Sequence, residues 1–115
     1  MINLNECGKL ENIIKIYVPS TVNVNQVANT EAGLIDVSTH FAKWFGGFTI
    51  IDGFGGWVSE ALGRVTEPVK IVYSFCDSEA LEAHIQHVVN LAEKIRKLYS
   101  QESVSLEINN KLYFI

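Results

Sequence analysis

The apolar residues of this chain switch repeatedly between a spacing of two and a spacing of three to four. Residues 13–20 alternate Ile14, Ile16 and Val18 with Lys15, Tyr17 and Pro19, the pattern of a strand with one apolar face. Residues 21–29 are rich in asparagine and read as a short extended arm or a loop. Residues 31–45 place Leu34, Val37, Phe41 and Phe45 at helical spacing, with Asn29 or Thr30 as N-cap and Gly46-Gly47 as the stop. A second strand is expected over 48–52. Gly53-Phe54-Gly55-Gly56 then reads as a flexible break, after which Trp57, Val58 and Ser59 resume the strand. Residues 60–66 read as a loop holding Gly63 and Arg64. Over 69–75, Val69, Ile71, Tyr73 and Phe75 make one face of a third strand and Lys70, Val72 and Ser74 the other. Asp77 or Ser78 caps a long second helix whose stripe is Leu81, Ile85, Val88, Ala92, Ile95 and Tyr99. Lys94, Arg96 and Lys97 sit near its C-terminus, where cations suit the helix dipole. Residues 104–108 and 111–115 form the last two strands, joined by an Asn109-Asn110 turn.

The resulting order is β-α-β-β-α-β-β. It predicts an α+β fold, a single domain over 13–115 after a tail at 1–12, with a mostly antiparallel sheet and both helices on one face. The other sheet face is expected to show Lys15, Tyr17, Lys70, Val72 and Ser74, a mixture that a partner chain can cover. With 115 residues, 48% of them apolar, the chain builds one core but leaves a large share of its surface exposed. A homodimer or higher homo-oligomer is therefore expected.

A net charge of −4, with Arg64 and Arg96 the only arginines, argues against duplex nucleic acid as a partner. Two cysteines, Cys7 and Cys76, imply no disulfide framework and fit a reducing cytosol. The polar N-terminal stretch has no signal-peptide pattern, and no apolar run is long enough to span a membrane.

Chemical motifs are sparse. His84 and His87 lie three apart on a helix, but a metal site needs further ligands and none is placed by spacing, so no metal is expected. Cys76 lacks an orienting partner for nucleophilic chemistry and reads as a half-buried thiol. The glycine run at 53–56 is followed by strand-like residues instead of a helix N-terminus, so it is no dinucleotide or P-loop fingerprint, and no cofactor is implied. No pair of carboxylates is brought together by spacing for acid–base work. The segment 54–64 is the richest: Trp57 can stack on a base, the glycines offer backbone donors, and Arg64 can grip a phosphate. The plainer reading of the same segment is a core tryptophan and a solvated arginine.

Three stretches, KIYVPSTVNVN at 15–25, GGWVSEALGRVTEPVKIVYSF at 55–75 and QESVSLEINNKLYFI at 101–115, resemble the phage Thoeris anti-defence sponges of the first type. The similarity runs from about Lys15 to the C-terminus. It implies a protein that sequesters a cyclic ADP-ribose isomer made as an alarm signal by a bacterial Thoeris system, holding it between subunits without cleaving it. It also implies action in the cytoplasm of the infected host.

The ligand's chemistry then selects candidate contacts: Trp57 and Phe48 for stacking, Arg64 and Lys70 for phosphate, and Asn23 and Asn25 for ribose hydroxyls or the base edge. The expected activity is binding without catalysis. The alternatives are an enzyme that cleaves the same nucleotide and a protein–protein interaction module.

Overall fold

In the computed structural model, which describes residues 1–22, 26–27 and 30–115, the alternating segments pair as the periodicity requires. The strands are β1 (Asn12–Pro19), β2 (Thr21–Val22), β3 (Gln26–Val27), β4 (Thr49–Ser59), β5 (Gly63–Cys76), β6 (Ser105–Ile108) and β7 (Lys111–Phe114), and the helices are α1 (Glu31–Phe45) and α2 (Ser78–Leu98). The main sheet has the order β4-β5-β1-β6-β7, with every neighbouring pair antiparallel. β2 and β3 form a separate two-stranded ribbon. A short 3-10 turn, Leu4–Glu6, lies in the N-terminal segment.

Both helices end where local chemistry says they should. Gly46 takes a left-handed φ of 89° and its N–H closes on the Ala42 carbonyl at 2.9 Å. The Asp77 side chain accepts from the Ala80 N–H at 2.7 Å and caps α2. The helices pack on one sheet face, where Val37, Phe41, Val88, Ala92 and Ile95 close over Ile14, Ile16, Val18, Val72 and Leu106. All of these are essentially inaccessible, and each except the smaller Ala92 contributes about 1.5–3 kcal/mol of apolar burial. Tyr99 locks the two helices together: its hydroxyl accepts from the Gly33 N–H at 2.9 Å, one of the donors that the first turn of α1 leaves without a helical partner. Cys76 is 2% exposed, and burial, with Asp77 beside it, pushes its thiol up.

Two expectations about β4 and β5 are corrected. The first concerns the face of β5. Ile16 pairs with Val72 and Ile14 with Ser74, so Val72, Ser74 and Cys76 lie under the helices, while Val69, Ile71, Tyr73 and Phe75 share the open face with Lys15 and Tyr17. Ser74 is tolerated there because its hydroxyl donates to the Gly47 carbonyl. Lys70 has the same parity as Val72 and pairs with Asp52 on β4. The second concerns the glycines. β4 runs unbroken through Gly53, Gly55 and Gly56, because each residue from Thr49 to Ser59 has a partner on β5. The expected loop shrinks to the tip 60–62, where the Ser59 hydroxyl accepts from the Ala61 and Leu62 N–H groups and Gly63 turns with φ of 71°. Arg64 therefore belongs to a strand.

The β4–β5 hairpin outruns the helices. The molecule measures 54 × 28 × 22 Å, and its radius of gyration of 15.7 Å exceeds the about 13 Å of a compact chain of similar length. The projecting hairpin carries Phe54, Trp57, Val58 and Leu62 into solvent.

Candidate functional site

The open sheet face gathers side chains that lie far apart in sequence. Strand alternation directs Trp57 and Gly55 of β4, Glu67 and Val69 of β5, Tyr17 and Pro19 of β1, and Ser105 and Glu107 of β6 to this face. A shallow groove of about 200 Å³ runs across it, lined by Tyr17, Pro19, Gly55, Trp57, Glu67 and Ser105, with the 101–104 segment at its rim. Its edge holds a polar triad. The Tyr17 hydroxyl donates to Glu107 Oε1 at 2.7 Å, and Lys15 Nζ lies 3.4 Å from Glu107 Oε2. Burial pushes the Tyr17 hydroxyl up to about 12, and the hydrogen bond to Glu107 and the charge of that carboxylate push the same way. Tyr17 is thus a neutral donor at any ordinary pH, aimed by a carboxylate. Glu67 sits directly opposite Gly55 in the β4–β5 register. The groove combines the aromatic rings of Tyr17 and Trp57 with the Glu67 carboxylate, a surface suited to a flat, cationic ligand.

A second groove of about 330 Å³ lies at the projecting hairpin, lined by Phe54, Trp57, Val58, Arg64 and Thr66 with Gly55 and Gly56. Trp57 and Arg64 both border it without touching each other. They occupy opposite faces of the ribbon by strand alternation, since Trp57 pairs with Val65 and Arg64 with Val58.

The remaining residues expected from chemistry lie elsewhere. Phe48 lines a separate hollow with Phe45, Tyr73 and Phe75, nine residues and about 30 Å along the strand from Trp57. Lys70 is engaged by Asp52, about 20 Å along β5 from Arg64. Asn23 and Asn25 lie outside the described residues. His84 and His87 do not form a plain solvated helix face: both rings contact Trp44 of α1, His84 stacked at 5.8 Å and 15°. Among the described residues no group of three or more His, Cys, Asp or Glu could hold a metal ion, and no helix is long and apolar enough to cross a membrane.

Tyr17, Glu67 and Glu107 were not among the residues selected by motif. They carry no motif, and only the pairing of β1 with β5 and β6 brings them to one face.

No family model matches the chain, and no curated protein matches it. Solved structures do. A phage SAM lyase in the apo state superposes on 100% of this chain and 94% of its own, with a TM-score of 0.69 and 22% identity. A phage SAM lyase in complex with S-methyl-5'-thioadenosine covers 94% of this chain and 93% of its own, with a TM-score of 0.65 and 18% identity. At this identity the likeness is one of fold. It corrects the expectation of a protein that binds without catalysis, because the same architecture in both structures is that of a lyase. That expectation rested on the resemblance to the sponges and on the absence of a catalytic motif, and a groove lined from four strands carries no motif along the chain. The likeness does not extend to the anti-defence sponges or to a cyclic ADP-ribose ligand.

Proposed function

We propose that this chain is a phage enzyme that binds S-adenosylmethionine, or a closely related adenosine-bearing sulfonium, in the open-face groove and splits it to release S-methyl-5'-thioadenosine. The observation that carries this reading is the end-to-end fold likeness to phage SAM lyase, joined to a groove whose charge suits a cation. A sulfonium gains from the π faces of Trp57 and Tyr17 and from the carboxylate of Glu67. A pyrophosphate in the same groove meets Glu67 as a like charge. In the reaction the carbon–sulfur bond to the amino-acid chain breaks, and sulfur keeps the electron pair and leaves as a neutral thioether. The four-carbon fragment makes up the missing pair from within, through its own carboxylate or by giving an adjacent proton to a base, a role this reading gives to Glu67. No water is consumed. The apolar share of the open face, with Trp57, Phe75, Leu112 and Phe114 exposed, favours a homodimer or higher homo-oligomer as the working form. Its place of action is the cytoplasm of an infected bacterium.

A second reading rests on the Arg64 groove: an enzyme that cleaves a cyclic ADP-ribose isomer, with Arg64 on the pyrophosphate. One experiment separates them. The protein is incubated with S-adenosylmethionine and, in parallel, with cyclic ADP-ribose isomers, and the products are identified by mass spectrometry. S-methyl-5'-thioadenosine is expected to accumulate, and Glu67→Gln to slow its release by about 10²–10⁴-fold. An unchanged S-adenosylmethionine pool beside a linearised nucleotide would establish the second reading instead.

A further inference from the structure

Three glycines lie within β4, and neighbours account for two of them. A Cβ on Gly53 would stand 2.9 Å from Val69 Cγ1 and 3.1 Å from Ile71 Cδ1, and one on Gly56 would stand 2.8 Å from the Val65 carbonyl oxygen. A Cβ on Gly55 meets nothing within 4 Å, and its φ is not in the left-handed region. Glycine in a strand interior gives up backbone entropy and side-chain packing that almost any other residue would supply. Nothing within the chain requires that loss at Gly55.

Its position supplies a reason. Gly55 faces the open side, directly across from Glu67 and two residues, about 7 Å, from Trp57, and it borders the open-face groove. We propose that Gly55 determines the specificity of this groove: its bare backbone is the floor on which the flat base of an adenosine ligand lies, with Trp57 closing one end and Glu67 facing the cationic centre. This rests on the reading above, that the groove takes an adenosine-bearing ligand. A side chain at 55 leaves the fold intact and fills the room of the base. The three glycines thereby separate by role, since a side chain at 53 or 56 strikes the protein and one at 55 strikes only the ligand.

The test is calorimetric titration of S-methyl-5'-thioadenosine into wild type, Gly55→Ala and Gly55→Val, with a melting curve and a sedimentation run for each. Expected are unchanged or higher melting temperatures, unchanged assembly, and affinity lowered about tenfold by Ala and at least about a hundredfold by Val. Binding by Gly55→Val within about threefold of wild type overturns the assignment and leaves the proposed function standing. Loss of assembly in place of loss of binding overturns it too, because the bare position would then pack against another copy. A Gly55→Val protein that melts far below wild type contradicts the open space above Gly55, with the same result. Failure of wild type to bind overturns the underlying reading, and the role of Gly55 with it.

Discussion

Replacing Tyr17 with phenylalanine tests the polar triad at the edge of the groove without disturbing the ring that packs beside it. The change removes one 2.7 Å hydrogen bond to Glu107. A bond to a charged acceptor is worth about 1.5–3 kcal/mol. Two facts reduce that here: Glu107 keeps Lys15 at 3.4 Å, and the Lys15 and Glu107 side chains retain 26% and 17% of their exposure. The expected loss is about 1 kcal/mol, which lowers the melting temperature of a chain this size by about 3–6 °C. The pH dependence provides an independent signature. Because the folded state holds the Tyr17 proton up to about pH 12 while an unfolded tyrosine releases it near pH 10, the folded form binds the extra proton across that window. Tyr17 therefore leaves stability untouched below pH 10 and erodes it as pH rises toward 12. Melting curves of wild type and Tyr17→Phe at pH 8 and pH 11 should show the variant less stable at pH 8, with a smaller decline at pH 11. Glu107→Gln in a double-mutant cycle should show coupling between the two positions. If both proteins lose the same stability between pH 8 and pH 11, the pairing of Tyr17 with Glu107 does not hold in solution.

Two further substitutions address the scaffold. Gly33→Ala forces a Cβ to within 2.7 Å of the Tyr99 ring and hydroxyl and should cost about 2 kcal/mol in urea denaturation, where a helix glycine free of such contact would gain stability from alanine. Asn109 and Asn110 have φ of 49° and 71° in the two-residue β6–β7 turn, so Asn110→Val should cost about 1–2 kcal/mol while Asn110→Gly costs nothing; equal melting temperatures for the two variants would refute that turn conformation.

The element order was legible in the sequence because periodicity is a local signal, and both helices and strands β1, β6 and β7 fall within a residue or two of where spacing puts them. The face of β5 was not. Both of its faces carry apolar residues, and the bulkier set of Val69, Ile71, Tyr73 and Phe75 is the one left open. Only the pairing of Ile16 with Val72 decides between them, and that pairing joins positions 56 residues apart. The glycines of β4 misled for a related reason. Read locally they break a strand, yet the ladder to β5 holds them, and the contacts at Gly53 and Gly56 lie across the strand gap. The groove was illegible on the same grounds: Tyr17, Gly55, Glu67 and Glu107 share a face only through β1–β5, β4–β5 and β1–β6 registers, and no spacing along the chain records that. Trp57 was visible because an aromatic beside glycines is conspicuous by itself.

The burial of Cys76 has a practical consequence. A thiol reacts as thiolate, and this one is both shielded and held protonated, whereas Cys7 is exposed. A thiol-directed reagent should therefore modify Cys7 at once and reach Cys76 only when the end of β5 parts from the helices above it. The slow phase of labelling then counts how often the native core opens, residue-specifically and without denaturant, so the molecule carries its own clock for conformational opening.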